Sequence, residues 1–135
     1  PLERNDGLLR ADFPGGWAGD TVSGFTGKGL THAQRDAQDY LRKLLNWRKT
    51  SRAISEGKLV HYVPRNGHYV YFRIHNQERV MVVINKNKTA SQLDLHRFQK
   101  LLVGRPKGME IINRKTLDLT QPLRLAPLQS LAIQF

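Results

Sequence analysis

At 135 residues the chain is the size of one domain and long enough to bury a modest core. The absence of cysteine excludes a disulfide framework, a thiolate metal site and a thiol nucleophile, and leaves the compartment open. The formal net charge of +11 is the compositional extreme and raises nucleic acid or an anionic surface as a partner.

The charge is unevenly spread. Residues 57 to 135 carry thirteen Lys/Arg against four Asp/Glu, whereas residues 1 to 31 carry three against four. The back-half cations fall mostly singly, in turns or on polar strand positions, as a solvated rim does. No stacking platform or recognition motif accompanies them, which argues against nucleic acid. The longest apolar run, Val80 to Ile84, is strand-length and far below the roughly 18 residues of a membrane helix, so no membrane partner is expected.

Taken in order, the chain opens on an irregular stretch. Residues 1 to 30 hold seven of the eleven glycines, with the densest turn cluster at Asp12-Phe13-Pro14-Gly15-Gly16-Trp17-Ala18-Gly19-Asp20. So long a loop is unusual in a small domain and ordinary in a large enzyme. The first residues, Pro1-Leu2-Glu3, lack an initiator Met and a signal segment, which reads as an internal cut in a longer protein. The glycines do not form a phosphate loop, since no strand precedes them and no Gly-Lys-Ser/Thr follows.

Thr31 to Lys49 reads as a helix. Thr31 and Gln34 form a capping-box signature, and Ala33, Ala37, Tyr40, Leu41, Leu44 and Leu45 recur at steps of three and four on one face. That face requires a partner. Ser51 to Glu56 adds one more helical turn, which Gly57 stops.

The period then changes to two. Strands are expected at Lys58–Val63, ended by Pro64, at His68–His75 after an Asn66-Gly67 hairpin turn, and at Arg79–Asn85, which is apolar on both faces and suits a central position. Further short strands are expected at 91–95, 108–113, 117–119, 123–126 and 130–135, with a helical or irregular piece at 97–102. The fold class is thus mainly β: a C-terminal Greek-key sandwich over residues 57–135, preceded by the glycine-rich loop and one amphipathic helix. Its expected core is Val60, Tyr62, Val70, Phe72, Ile74, Val82, Ile84, Leu93, Leu95, Ile111, Leu125, Leu131 and Ile133.

Chemistry-bearing residues are sparse. The five histidines show neither the i, i+2 nor the i, i+4 spacing of a paired ligand set, so no metal or other cofactor is expected. No Gly-x-Ser-x-Gly elbow is present. Most carboxylates fall in turns or on the polar side of the helix. Asp12 and Asp20 flank Pro-Gly-Gly-Trp, where they line a cleft or, more simply, cap a turn. Trp17 stacks on a sugar ring or anchors the loop. Tyr69 and Tyr71 share a strand face, as a sugar platform or as a surface covered by the helix.

Three stretches carry a resemblance: Asp6 to Asp20, Phe25-Thr-Gly-Lys-Gly-Leu-Thr31, and Leu41-Arg-Lys-Leu-Leu-Asn-Trp-Arg-Lys49. Together with Gly57 to Pro64, Tyr69-Val-Tyr-Phe-Arg73 and Val80 to Asn85, they look like the tail of an α-amylase family glycoside hydrolase, of the neopullulanase and cyclomaltodextrinase-like type found in starch-degrading Bacteroides-type bacteria. The resemblance implies that residues 1–56 are the loop and last helix of a TIM barrel and that 57–135 are its appended sandwich. It implies as partners the missing barrel and, in the parent, an α-glucan. The unpartnered helix face also invites self-association. The family's catalytic Asp, Glu and second Asp lie on earlier strands whose motifs are absent, so no catalytic residue is assigned. Arg10, Asp12 and Trp17 remain as candidates for a loop that approaches substrate. The alternatives are a carbohydrate-binding sandwich and a basic nucleic-acid-binding domain.

Overall fold

A computed structural model describes residues 12–135. The chain divides into two compact units, one ending at Leu41 and the other running from Arg42 to Phe135.

In the first unit, residues 12–31 form successive turns rather than helix or strand. The backbone closes on itself through Gly24 N–H to the Pro14 carbonyl (2.9 Å) and Ser23 N–H to the Lys28 carbonyl (2.8 Å). Helix α1, His32–Thr50, starts here. The expected capping box is formed in both directions: Gln34 N–H donates to Thr31 Oγ1 (3.3 Å) and Thr31 N–H donates to Gln34 Oε1 (2.9 Å). These bonds satisfy two of the donors that a helix start leaves unpaired. Gln38 Nε2 then donates to the Gly24 carbonyl at 2.6 Å, tying the helix to its preceding loop. No residue of α1 is buried.

In the second unit, α1 ends and Ser51 takes an extended conformation (φ −90°, ψ 112°) before the single-turn helix α2, Arg52–Ser55. Gly57 follows because a side chain there would collide with backbone: a Cβ would lie 2.2 Å from the Ala53 carbonyl oxygen and 2.9 Å from that of Ile74. Eight strands come next: β1 Lys58–Arg65, β2 His68–His75, β3 Glu78–Asn85, β4 Ser91–Leu93, β5 Lys107–Glu110, β6 Thr116–Asp118, β7 Leu123–Leu125 and β8 Ser130–Gln134. A 3₁₀ turn, His96–Phe98, and the short helix α3, Gln99–Leu102, separate β4 from β5.

Six strands form one antiparallel sheet in the order β1-β2-β3-β8-β5-β6, and β4 pairs with β7 in a second, two-stranded sheet. The mainly β, two-sheet sandwich expected from the sequence is therefore present. Asn66 (φ 50°) and Gly67 (φ 74°) make the β1–β2 turn with two left-handed residues, the conformation that favours Asn-Gly. The β1–β2–β3 meander is extended by β8, which returns from the other sheet to lie between β3 and β5. That placement makes β3 central, as its two-sided apolarity requires.

The core lies between the sheets. Val70 and Phe72 of β2, Met81 and Val83 of β3, and Leu131 and Ile133 of β8 meet Leu93, Leu123 and Leu125 of the two-stranded sheet. Phe98 and Leu102 close one end. There, Tyr62 and Phe98 pack edge to face with centroids 4.8 Å apart, and Phe72 lies 6.0 Å from each.

Three expectations are corrected. Val82 and Ile84 do not face the core; Met81 and Val83 do, because Met81 pairs with Phe72 and Val83 with Val70. A strand apolar on both faces carries no phase of its own, so its partner's register decides. Strand β1 does not stop at Pro64 but continues to Arg65, with a register irregularity after Tyr62. It is an edge strand, where a missing N–H is tolerated. Strand β5 ends at Glu110 rather than Asn113. The buried Glu110 carboxylate accepts the N–H groups of Ile112 (2.8 Å) and Asn113 (2.7 Å) and curls the chain into a turn.

Candidate functional site

The loop candidates come first. Arg10 lies outside the described residues. Asp12 is exposed, and so is Trp17, at 71%. The turn between them is held by Asp20, whose Oδ2 accepts the N–H groups of Gly15 (2.7 Å) and Trp17 (3.2 Å), five and three residues before it. Phe13 and Phe25 pack edge to face at 5.1 Å with both rings largely exposed. The loop thus presents three aromatic rings at its surface on a backbone braced by one carboxylate.

On α1, Tyr40 (43% exposed), Leu41 (52%) and Leu45 (43%) lie open. The apolar stripe read from the sequence is real and lies exposed among the described residues. Its C-terminal end, in contrast, is fastened. Trp47 Nε1–H donates to Gln134 Oε1 at 2.9 Å, and Gln134 Nε2–H donates in turn to Glu78 Oε1 at 3.2 Å. The same carboxylate accepts Ser51 Oγ–H (2.6 Å) and, through Oε2, Ala53 N–H (3.3 Å). Across α2, Arg73 donates to the carbonyls of Ala53 (3.3 Å) and Ile54 (2.9 Å). A carboxylate on N–H groups and a guanidinium on carbonyls are each the charge sign that satisfies those backbone groups. Glu78, Arg73 and Gln134 therefore clamp the helix end and α2 onto β2, β3 and β8.

This joint was not visible in the sequence. Glu78 reads as a turn residue, Gln134 as an anonymous strand position and Trp47 as the end of a helix, and they lie 56 and 87 positions from Gln134. Other arginines are committed in the same way: Arg79 donates to the Leu101 carbonyl, Arg97 to the Val63 carbonyl at 2.9 Å, and Arg105 to Gln77 Oε1 at 3.0 Å. Part of the large positive charge is thus engaged inside the fold.

The remaining candidates separate. His68 is buried, with Nε2 at 2.9 Å from Ser91 Oγ, which links β2 to β4 across the sandwich. Among the described residues no group of three or more His, Asp or Glu is placed to hold a metal ion. Tyr69 and Tyr71 lie side by side on β2, centroids 5.7 Å apart and planes tilted by 41°, half-buried on the face away from the core. Burial raises the Tyr71 phenol above its ordinary pKa of 10.0; the neighbouring Tyr69 adds to this and Arg73 opposes it.

This architecture has relatives. The family model for the cyclo-malto-dextrinase C-terminal domain matches residues 59–134. The chain belongs to that family. The kinship with the C-terminal β domain of α-amylase family glycoside hydrolases is thereby established, and the structural neighbours carry the same fold. A structure described as AmyP in complex with maltose superposes with a TM-score of 0.65 at 15% identity, over 80% of this chain and 22% of that one. An α-amylase from Geobacillus thermoleovorans complexed with acarbose gives 0.61 at 14% identity, over 79% of this chain and 24% of that one. An isomaltulose synthase from Erwinia rhapontici NX5, in complex with D-glucose, gives 0.54 at 27% identity over 72% and 17%. The chain spans about a fifth of the length of the structures it matches.

Proposed function

We propose that this cyclo-malto-dextrinase C-terminal domain serves a longer α-amylase-like enzyme that acts on α-glucans by retaining hydrolysis with two carboxylates supplied from elsewhere. In this reading residues up to 56 are the closing loop and last helix of a catalytic barrel, and residues 57–135 are the sandwich that braces it. One observation carries the proposal: α1 leaves an apolar stripe open while its last turn is bonded to the sandwich through Trp47, Gln134 and Glu78. A helix held at one end with an uncovered apolar face is suited to join two bodies. The barrel is the occupant of that face, and Arg10, Asp12 and Trp17 belong to the loop that reaches toward bound glucan.

The 135-residue chain alone is then structural and without hydrolytic activity. Purified chain incubated with starch, pullulan or cyclodextrin releases no reducing sugar; measurable release overturns the reading. Calorimetry with millimolar maltoheptaose gives no heat if the sandwich is purely structural, and heat if it is a sugar-binding module. Sedimentation at rising concentration reports whether the open helix face pairs with a second copy.

A further inference from the structure

The β1–β2 hairpin ends in Asn66-Gly67, and both residues are exposed. Asn66 is the only asparagine of the chain that is followed by glycine. Among the described residues neither its side-chain amide nor the Gly67 N–H has a hydrogen-bond partner. A free backbone nitrogen therefore follows a free carboxamide, and glycine places no side chain in the way of their approach.

What holds this tip is the segment that leaves β3. Asn87 Nδ2–H donates to the Asn66 carbonyl at 2.9 Å, and Lys86 N–H donates to the Gly67 carbonyl at 2.8 Å. Asn87 is placed in turn by the buried Asn85, whose Oδ1 accepts its N–H (3.0 Å) and its Nδ2–H (2.9 Å) while Asn85 Nδ2–H donates to the Ala126 carbonyl (2.7 Å). The clamp sits hard against the turn, since a Cβ on Gly67 would lie 2.2 Å from Asn87 Oδ1. The Asn66–Gly67 peptide is a rigid plane, so its nitrogen and the Asn66 carbonyl oxygen swing together. Turning that nitrogen toward the Asn66 carboxamide takes the carbonyl off Asn87.

We propose that Asn66 is a self-modification site and that Asn87 is its gate. The Gly67 nitrogen attacks Asn66 Cγ; the new C–N bond closes a cyclic imide as the Cγ–Nδ2 bond breaks, and ammonia leaves with the proton that Gly67 gives up. Water, the only co-reactant, then opens the imide to aspartate or isoaspartate. Either product puts a carboxylate next to Arg65, and isoaspartate adds a backbone carbon to a two-residue turn whose conformation sets the register of the hairpin. Strand β1 is an edge strand paired only with β2, so the change loosens β1 and leaves β2, β3 and β8 in place.

The test is ageing of the purified chain in mildly alkaline buffer, with mass spectrometry of the tryptic peptide that begins at Asn66. Conversion is read as the mass gain from amide to acid and as the separate elution of the isoaspartyl peptide. The expected result is fast conversion in the chain unfolded by guanidinium, slow conversion in the folded wild type, and conversion several-fold faster than wild type in folded Asn87→Ala. Asn87→Asp, which keeps the shape of the side chain and removes the Nδ2–H donor, is expected to accelerate it too and carries the test if the alanine variant does not fold. Folded wild type converting as fast as the unfolded chain, or as fast as the folded variants, overturns the gate. Absence of conversion at Asn66 in the unfolded chain overturns the site.

Discussion

Helix α1 and the sandwich each gather apolar residues on one face and end in opposite states. The helix spaces Tyr40, Leu41, Leu44 and Leu45 on one side yet buries no residue, whereas β2 and β3 bury Val70, Phe72, Met81 and Val83 almost completely. Periodicity sets which residues share a face, and only a partner decides whether that face is covered. The sandwich contains its own partner, since the β4–β7 sheet closes over the larger one. The helix is fixed at its last turn and open along its length.

The contrast is sharpest where a buried ring is removed. Phe72 is fully buried and touches Tyr62, Phe98 and Phe135 through aromatic contacts. Phe72→Ala is expected to cost about 3–5 kcal/mol. Urea unfolding followed by circular dichroism reads this as a large fall in midpoint, and a small fall would mean that the two-sheet core is not the source of stability.

The joint ranks next. Glu78 accepts bonds from Ser51, Ala53 and Gln134, so Glu78→Ala strands several donors together and is expected to cost about 1–3 kcal/mol. The change also frees the Gln134 side chain that holds the Trp47 indole, so tryptophan fluorescence should shift in the native state. A loss of stability with an unchanged spectrum would separate the clamp on α2 from the clamp on the helix end.

These two sites differ in how far they were legible. The hairpin turn, β2, the central place of β3 and the capping box follow from local chemistry, and the structure has them where alternation, Asn66-Gly67 and Thr31/Gln34 put them. The inward phase of β3 does not, because Val82 and Val83 are chemically alike and only pairing with β2 distinguishes them. The joint is less legible still: its carboxylate, amide and indole come together only after β8 crosses back beside β3, and no local pattern encodes that return.

On the helix the expected effect in this chain is small. Leu41→Gln with Leu45→Gln keeps helix propensity and alters exposed positions, so stability should change by no more than about 0.5 kcal/mol. If the proposed barrel covers the stripe, the same pair is clearly destabilising in the longer enzyme, because it sets two amides against an apolar surface. Equal, small effects in both chains would mean that the stripe is never covered.

The smallest effect is read by pH. In the folded chain burial holds the Tyr71 phenol above its ordinary value of 10.0, so the folded state binds a proton more tightly than the unfolded state. Stability from this group is fully present below pH 10 and is lost as pH rises through the folded value. Because Tyr71 remains half-exposed, solvent screening keeps the loss slight in this chain. Asp118 provides the opposite sign. Its carboxylate, held below the ordinary value of 3.8 by the Thr120 hydroxyl (2.6 Å) and N–H (2.8 Å), supports the fold above that pH and ceases to do so in acid. Asp118 lies on β6, at the far edge of the sheet from β1, and its acid limb should be the same in the short and full-length chains. Ultraviolet titration of the phenolate in wild type and in Tyr71→Phe assigns the alkaline limb, and a Tyr71 midpoint no higher than that of a free phenol would mean that burial does not hold the group.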